Sequence, residues 1–357
     1  MSDADQPGKP RSAGAIPGRR VPQHWPPDRR FRILSIDGGG IRGVFPATFL
    51  AGLESAYTGE RSIGDFFDLI VGTSTGGILA LGLGAGYTAA SLRDLYVRRG
   101  GEVFPPYPPG VLGGLTRWLA GVRQYTRYRY DRASLEKMLT DVLGDKQFGE
   151  SRNRLCVPAF EGKHSEVFVY KTPHHLDYKL DRFEKMVKVG LATAAAPTYF
   201  RPLEHNDYTL VDGGVWANNP LMLGVIEALT CFDITRDQID VLSIGCGDDK
   251  YHVSGDKLVK GGIWHWRMII EGAMRLQSLA ATNQARLLLG PPSVTRIDPP
   301  AFEPPIPLDD WQRATFELVP AARAAVRQNG PKIAEVFLMS TADAYVPQPV
   351  EKTATAT

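Results

Sequence analysis

Phe66-Phe67-Asp68-Leu69-Ile70-Val71-Gly72-Thr73-Ser74-Thr75-Gly76 is the stretch on which the reading of this chain turns. Phe66–Val71 is an apolar run of strand length, and a helical pattern opens at Ile78–Leu83. Between them lies a G-x-S-x-G turn, in the strand–turn–helix setting that a nucleophile elbow requires. Gly72 and Gly76 relieve crowding in a strained bend and leave the Ser74 hydroxyl exposed. The N-terminus of the next helix stabilises negative charge at that point. Ser74 is therefore expected to be a nucleophile; a chance structural turn is the plainer alternative.

A strand is also predicted for Phe31–Ile36, with a helix over Val44–Tyr57, where Phe45, Phe49, Leu50, Leu53 and Tyr57 recur at helical spacing. Between them runs Asp37-Gly38-Gly39-Gly40-Ile41-Arg42-Gly43. Its Gly38-x-Gly40-x-x-Gly43 spacing fits a dinucleotide fingerprint. It equally fits a set of backbone amides aimed at the oxyanion of an acyl-transfer intermediate. Arg42 could hold a lipid phosphate or anchor the helix start.

Further strands are predicted at Leu155–Phe160, Val167–Tyr170, Thr209–Val211, Val241–Ile244 and Val294–Ile297. Helices are predicted at Arg132–Leu143, Phe183–Thr193, Leu221–Cys231, Ile263–Leu289 and Trp311–Arg327. The alternation implies an α/β fold with a mostly parallel sheet covered by helices on both faces. Two proline-rich excursions interrupt it, Phe104–Tyr130 and Gly290–Pro307.

A nucleophilic serine needs a proton acceptor. His164, His174, His175, His205, His252 and His265 lie downstream, and none has flanks that mark it as a base. The better candidate is Asp212, at a predicted strand end and followed by Gly213 and Gly214. Asn218-Asn219-Pro220 already supplies a cap and a first-turn proline for the next helix, so Asp212 is not needed there.

With these residues in place, the chain resembles the patatin-like phospholipases. The likeness covers Phe31 to Gly247, with D-G-G-G-x-R-G at Asp37–Gly43, G-T-S-T-G at Gly72–Gly76 and D-G-G at Asp212–Gly214. The run Ala192–Phe200 also resembles the segment preceding the family's Asp. The resemblance implies a three-layer patatin-like fold and a Ser74–Asp212 dyad in place of a Ser-His-Asp triad. It makes Gly38, Gly39 and Gly40 the oxyanion hole, with Gly213 in support. It also implies hydrolysis of glycerophospholipid esters through an acyl-enzyme, with no metal and no cofactor. Similar enzymes act in bacterial antiphage defence, where a cyclic nucleotide switches on membrane degradation, so such an activator is a further expectation. A non-catalytic lipid- or nucleotide-binding module on the same fold is the rival reading.

Bulk properties narrow the partners. With 41 Lys and Arg against 39 Asp and Glu, the formal charge is +2, so nothing calls for nucleic acid. Three cysteines, Cys156, Cys231 and Cys246, lack zinc-binding spacing and suit a reducing, cytoplasmic setting. Residues 1–30 are rich in Pro, Gly and Arg, without an apolar core, and are expected to be a flexible tail rather than a secretory signal. Residues 31–347 are expected to be one catalytic domain with an inserted lid-like segment near 104–130, and 348–357 to be frayed.

No window reaches the ~20 apolar residues of a membrane span. Val111, Leu112, Leu115, Trp118, Leu119 and Val122 nonetheless form an amphipathic stripe, accompanied by Arg117, Arg123, Arg127, Arg129 and Arg132. Such a segment is either a lid packed on the domain or a contact with the inner membrane surface. Trp264, Trp266, Met268, Ile269 and Ile270 carry the same pair of readings, lipid contact or core. Oligomerisation is left open.

Overall fold

The computed structural model describes residues 20–105, 128–247 and 269–349, with the backbone alone at 269–271 and 273. Among the described residues, eight strands form one sheet: β1 (Phe31–Ile36), β2 (Leu69–Gly72), β3 (Arg154–Glu161), β4 (Glu166–Lys171), β5 (Leu203–His205), β6 (Tyr208–Asp212), β7 (Ile239–Ile244) and β8 (Val294–Ile297). Their order is β5-β6-β3-β2-β1-β7-β8, with β4 also paired to β3. The pairs β3–β2, β2–β1, β1–β7 and β7–β8 are parallel, while β5–β6, β6–β3 and β3–β4 are antiparallel.

Burial explains why the central strands are largely apolar rather than strictly alternating, and even Arg32 and Ser35 of β1 and Asp240 and Ser243 of β7 are buried. Phe31 and Ile33 of β1, Leu69 and Val71 of β2, and Ile239 and Val241 of β7 enter one core. Leu34 and Ile36, Ile70, and Leu242 and Ile244 enter the other. With period-two side chains and helices on both faces, no position of such a strand meets water. The helix Leu221–Cys231 covers the first face, and the helices Val44–Tyr57, Thr75–Gly84, Ala89–Val103 and Val319–Phe337 the second. The expected layered α/β architecture is what the chain adopts.

Several boundaries differ from expectation. The residues before Leu69 do not extend β2: Ile63–Phe66 is a 3-10 turn, capped by the Ser62 hydroxyl, which accepts the Gly64 N–H. The helix Ala89–Val103 and the short strand β5 were not predicted. The last helical stretch continues to Phe337, through a wider π turn at Ala314–Leu318.

Order also begins before Phe31. Trp25 is buried against Phe31 and Phe232, with ring centroids 4.7 and 5.3 Å away. The Gln23 N–H donates to the Cys231 carbonyl at 2.8 Å, and the Gln23 carbonyl accepts from Asp233 at 2.9 Å. Prolines keep residues 20–30 out of regular structure, yet an aromatic anchor docks them, so the flexible-tail expectation fails for that part. At the other end Gln348 donates its N–H to the Pro173 carbonyl and its side-chain amide to Gln23 Oε1.

Candidate active site

The expected nucleophile occupies a strained position. Ser74 caps the helix Thr75–Gly84 with φ 54° and ψ −120°, a conformation that L-residues rarely adopt. Glycines on either side make the bend feasible. A Cβ on Gly76 would run into the Ile36 carbonyl, and one on Gly72 into the Gly76 backbone. The bend is clamped from a third element: Thr193 Oγ1 accepts the Ser74 N–H at 2.9 Å and donates to the Pro158 carbonyl at 2.6 Å.

Asp212, the last residue of β6, arrives at the same point. The Ser74 hydroxyl donates to Asp212 Oδ2 at 2.6 Å, and Asp212 Oδ1 accepts the Gly214 N–H at 2.7 Å. Gly213 permits this approach, since a Cβ there would strike the Pro158 carbonyl. Burial pushes the Asp212 carboxyl up to about 6, against the lowering effect of its hydrogen bonds from Ser74 and Gly214. A carboxylate raised this far is a stronger base than a solvated one.

The glycine loop lies across from the elbow. A Cβ on Gly38 would sit 3.3 Å from Ser74 Cβ, so this loop faces the serine. Its conformation is fixed by buried charge. Arg296 on β8 grips Asp37 with two donors, Nη1 to Oδ1 at 2.9 Å and Nη2 to Oδ2 at 2.7 Å, and Ser278 Oγ donates to Oδ2 at 3.2 Å. Burial alone would lower the Arg296 pKa, but Asp37 and Asp298 hold it above its ordinary value. The Gly290–Pro307 excursion returns to this loop at its far end, where the Leu308 carbonyl accepts the Ile41 N–H at 2.8 Å.

Two expectations about this loop need correction. The Gly38 N–H already donates to the Asn218 carbonyl at 2.9 Å, so it is committed to holding the loop and does not face an oxyanion. No such acceptor is recorded for the Gly39 and Gly40 amides among the described residues. Arg42 does not line the cavity at Ser74. Its Nε reaches back to the Gly39 carbonyl at 3.4 Å, and the residue lines a neighbouring recess with Cys246, Pro299 and Phe302. Loop anchoring, rather than a grip on substrate phosphate, matches that placement.

Ser74 and Asp212 open onto a cavity of about 250 Å³ whose other walls are mostly apolar, among them Ile78, Phe104, Met138, Phe200 and Met274. Phe104 and Tyr130, which bound the first excursion, return to one place beside it, with ring centroids 5.3 Å apart. The amphipathic stripe from Val111 to Val122, with Arg117, Arg123 and Arg127, lies outside the described residues, as do Trp264, Trp266, Met268 and the side chains of Ile269 and Ile270. Arg129 is described and pairs with Asp309 at 2.7 Å; Arg132 donates to the Pro202 carbonyl at 3.0 Å.

Among the described residues no histidine lines the cavity. His174 is instead buried with Glu227, while the exposed His164 pairs with Glu161 and His205 with Glu184. His252 and His265 are outside the described part. All three cysteines are buried. Cys156 groups with His174 and Glu227, but Lys171 Nζ already donates to Glu227 at 2.6 Å, so this cluster is a charge-neutralised core.

Sequence reasoning missed Thr193, Asn218 and Arg296. Thr193 lies in the Ala192–Phe200 run and Asn218 beside the helix cap, so a signal existed for both. Arg296 carried none, because only the parallel pairing of β8 with β7 brings it to Asp37.

A family model described as patatin-like phospholipase matches residues 34–225. A "cGAMP-activated phospholipase" of Pseudomonas aeruginosa is 37% identical over 241 residues, covering 66% of this chain and 68% of that protein. A protein of the same description from Vibrio cholerae is 34% identical over 279 residues, covering 71% and 74%. "Patatin-like protein 2" of Arabidopsis thaliana is 33% identical over 253 residues, covering 61% and 60%.

Proposed function

Because the chain belongs to the patatin-like phospholipase family, we propose that it is a lipid acyl hydrolase of the phospholipase A type, with Ser74 as nucleophile and Asp212 as its base. The observation that carries this reading is the 2.6 Å hydrogen bond from Ser74 Oγ to Asp212 Oδ2 on the floor of an apolar cavity.

In the proposed cycle, the acyl chain of a glycerophospholipid lies along the apolar walls and presents its ester carbonyl to Ser74. Ser74 Oγ attacks as its proton passes to Asp212. The Gly39 and Gly40 amides, with the start of the helix Thr75–Gly84, meet the developing oxyanion. The tetrahedral intermediate expels the lysolipid alkoxide, which takes the proton from Asp212. Water then attacks the acyl-Ser74 ester by the reverse sequence and releases the fatty acid. The strain at Ser74 is borne in the resting state, so the hydroxyl needs no reorganisation before it attacks.

The glycine loop faces Ser74, which favours the oxyanion reading of Gly38–Gly43 over a dinucleotide site. The name of the bacterial relatives, cGAMP-activated phospholipase, supports a cyclic dinucleotide as activator; a role in antiphage defence is proposed on the family resemblance alone. Among the described residues no helix is long and apolar enough to cross a membrane. We place the enzyme in the cytoplasm, reaching its substrate as a peripheral visitor to the inner membrane surface.

The test is lipid mass spectrometry of mixed phospholipid vesicles treated with wild type, Ser74→Ala and Asp212→Ala, each with and without a panel of cyclic dinucleotides. Free fatty acid and lysolipid are expected from wild type alone and should rise with the activator. Equal hydrolysis by Ser74→Ala would end this reading.

A further inference from the structure

Asn218 follows the short helical turn Gly214–Ala217, and its side chain lines the cavity beside Ser74 and Asp212. It is not the cap of the next helix. That task falls to Asn219, whose Oδ1 accepts the Leu221 N–H at 3.0 Å. The Asn218 carboxamide rests against two glycines. A Cβ on Gly38 would lie 2.6 Å from its Oδ1 and 3.3 Å from Ser74 Cβ. A Cβ on Gly214 would lie 3.3 Å from the same Oδ1 and 3.0 Å from Asp212 Oδ1. The oxygen therefore lies against two glycines, one beside Ser74 and the other beside Asp212. It is buried, and no hydrogen bond reaches it among the described residues.

A buried carbonyl without a donor is a standing cost to the fold, and that cost disappears when a donor arrives. The ester region of a diacyl glycerophospholipid contains only acceptors, so the acylation step brings no donor. Water does. The geometry points to Asn218 as the residue that orients the deacylating water, an inference that rests on the Ser74–Asp212 reading. The terminal torsion of Asn is soft, and a modest turn carries Oδ1 from its glycine-lined slot to the cavity.

Water then donates one O–H to the Asp212 carboxylate and the other to Asn218 Oδ1, which leaves a lone pair aimed at the acyl carbon. As the water oxygen bonds to that carbon, its first proton passes to Asp212. Collapse of the intermediate breaks the bond from carbon to Ser74 Oγ, and Ser74 takes that proton back. The second proton leaves on the fatty acid.

The experiment is rapid-mixing kinetics with a soluble p-nitrophenyl ester, together with intact-protein mass spectrometry and product analysis in added methanol. Wild type, Asn218→Leu and Asn218→Ala are compared, with Ser74→Ala as the reference for loss of the nucleophile. Both Asn218 variants are expected to keep a burst of about one equivalent, to lose tenfold or more in the steady-state rate, and to accumulate the acyl adduct. Methanol has a single proton to donate, so the ratio of methyl ester to free acid should rise in both variants. Equal slowing of burst and steady state, with no adduct and an unchanged ratio, would overturn the inference and leave the dyad standing. Activity in Ser74→Ala with no wild-type adduct would instead refute the dyad. If neither variant folds, the wild type decides: it should prefer water to methanol mole for mole, and the opposite preference rejects the role.

Discussion

The Thr193 hydroxyl bridges the two halves of the site, accepting the Ser74 N–H at 2.9 Å while donating to the Pro158 carbonyl at 2.6 Å. Thr193→Val keeps the shape and removes both bonds, leaving the Ser74 amide and the Pro158 carbonyl unpaired inside the fold. The loss should be on the order of 1–3 kcal/mol, expressed in kcat as the strained serine relaxes. Thr193→Ser should retain most of the activity. A rise in KM with kcat unchanged would contradict this account.

Asp212 sets the pH dependence. The base must be ionised to receive the serine proton, so kcat/KM should fall about tenfold per pH unit below about 6 and level off above it. A soluble-ester pH profile reads this directly, and a midpoint near 4 would mean that burial leaves the carboxyl unshifted.

The same group opposes folding. Its folded value of about 6 lies above the ordinary 3.8, so the folded protein holds this proton more tightly than the unfolded chain. The contribution is most favourable below pH 4 and declines as pH rises from about 4 to 6, by roughly 3 kcal/mol in all. Asp212→Asn should therefore melt higher than wild type at pH 8, and the gap should close near pH 4. Identical melting temperatures at pH 8 would argue against a buried charge.

Arg296 and Asp37 form a buried, two-pronged pair. Arg296→Met leaves the Asp37 carboxylate without its countercharge, at a cost of about 3–5 kcal/mol. Adding Asp37→Asn should recover much of it. Arg296→Lys keeps the charge and loses the fork, so its stability should fall between the two. Urea denaturation checks all three variants, and additive losses in the double variant would deny the coupling.

Gly76 packs against the backbone of a central strand. Gly76→Ala drives a methyl into the Ile36 carbonyl, which cannot move without breaking the sheet. Destabilisation of about 3 kcal/mol or more is expected. Gly162 offers the contrast, since its nearest neighbour to an added Cβ is 3.4 Å away, and Gly162→Ala should stay within about 0.5 kcal/mol of wild type.

The sheet was legible because its central strands are buried on both faces, which writes short, largely apolar runs such as Leu69–Val71 and Phe31–Ile36 (broken only by Arg32 and Ser35) into the chain. Ser74, Asp212 and the glycine loop were legible because sharp turns and close approaches demand glycine at fixed positions. Ala89–Val103 was missed because Gly100 and Gly101 weaken its helical signature; Gly100 is there to admit Trp311 and Ile41. Trp25 escaped notice because a single aromatic in a proline-rich stretch has no periodicity. The commitment of the Gly38 amide and the outward turn of Arg42 depend on where Asn218 and the Pro299–Phe302 loop fold back. Neighbours that distant leave no trace in a local motif.

The grip of Arg296 on Asp37 also imposes an order of events on biosynthesis. Both motif serine and motif aspartate emerge from the ribosome well before residue 296, so the loop facing Ser74 gains its buried countercharge only when β8 docks beside β7. The last brace of that loop is therefore made after the residues it faces.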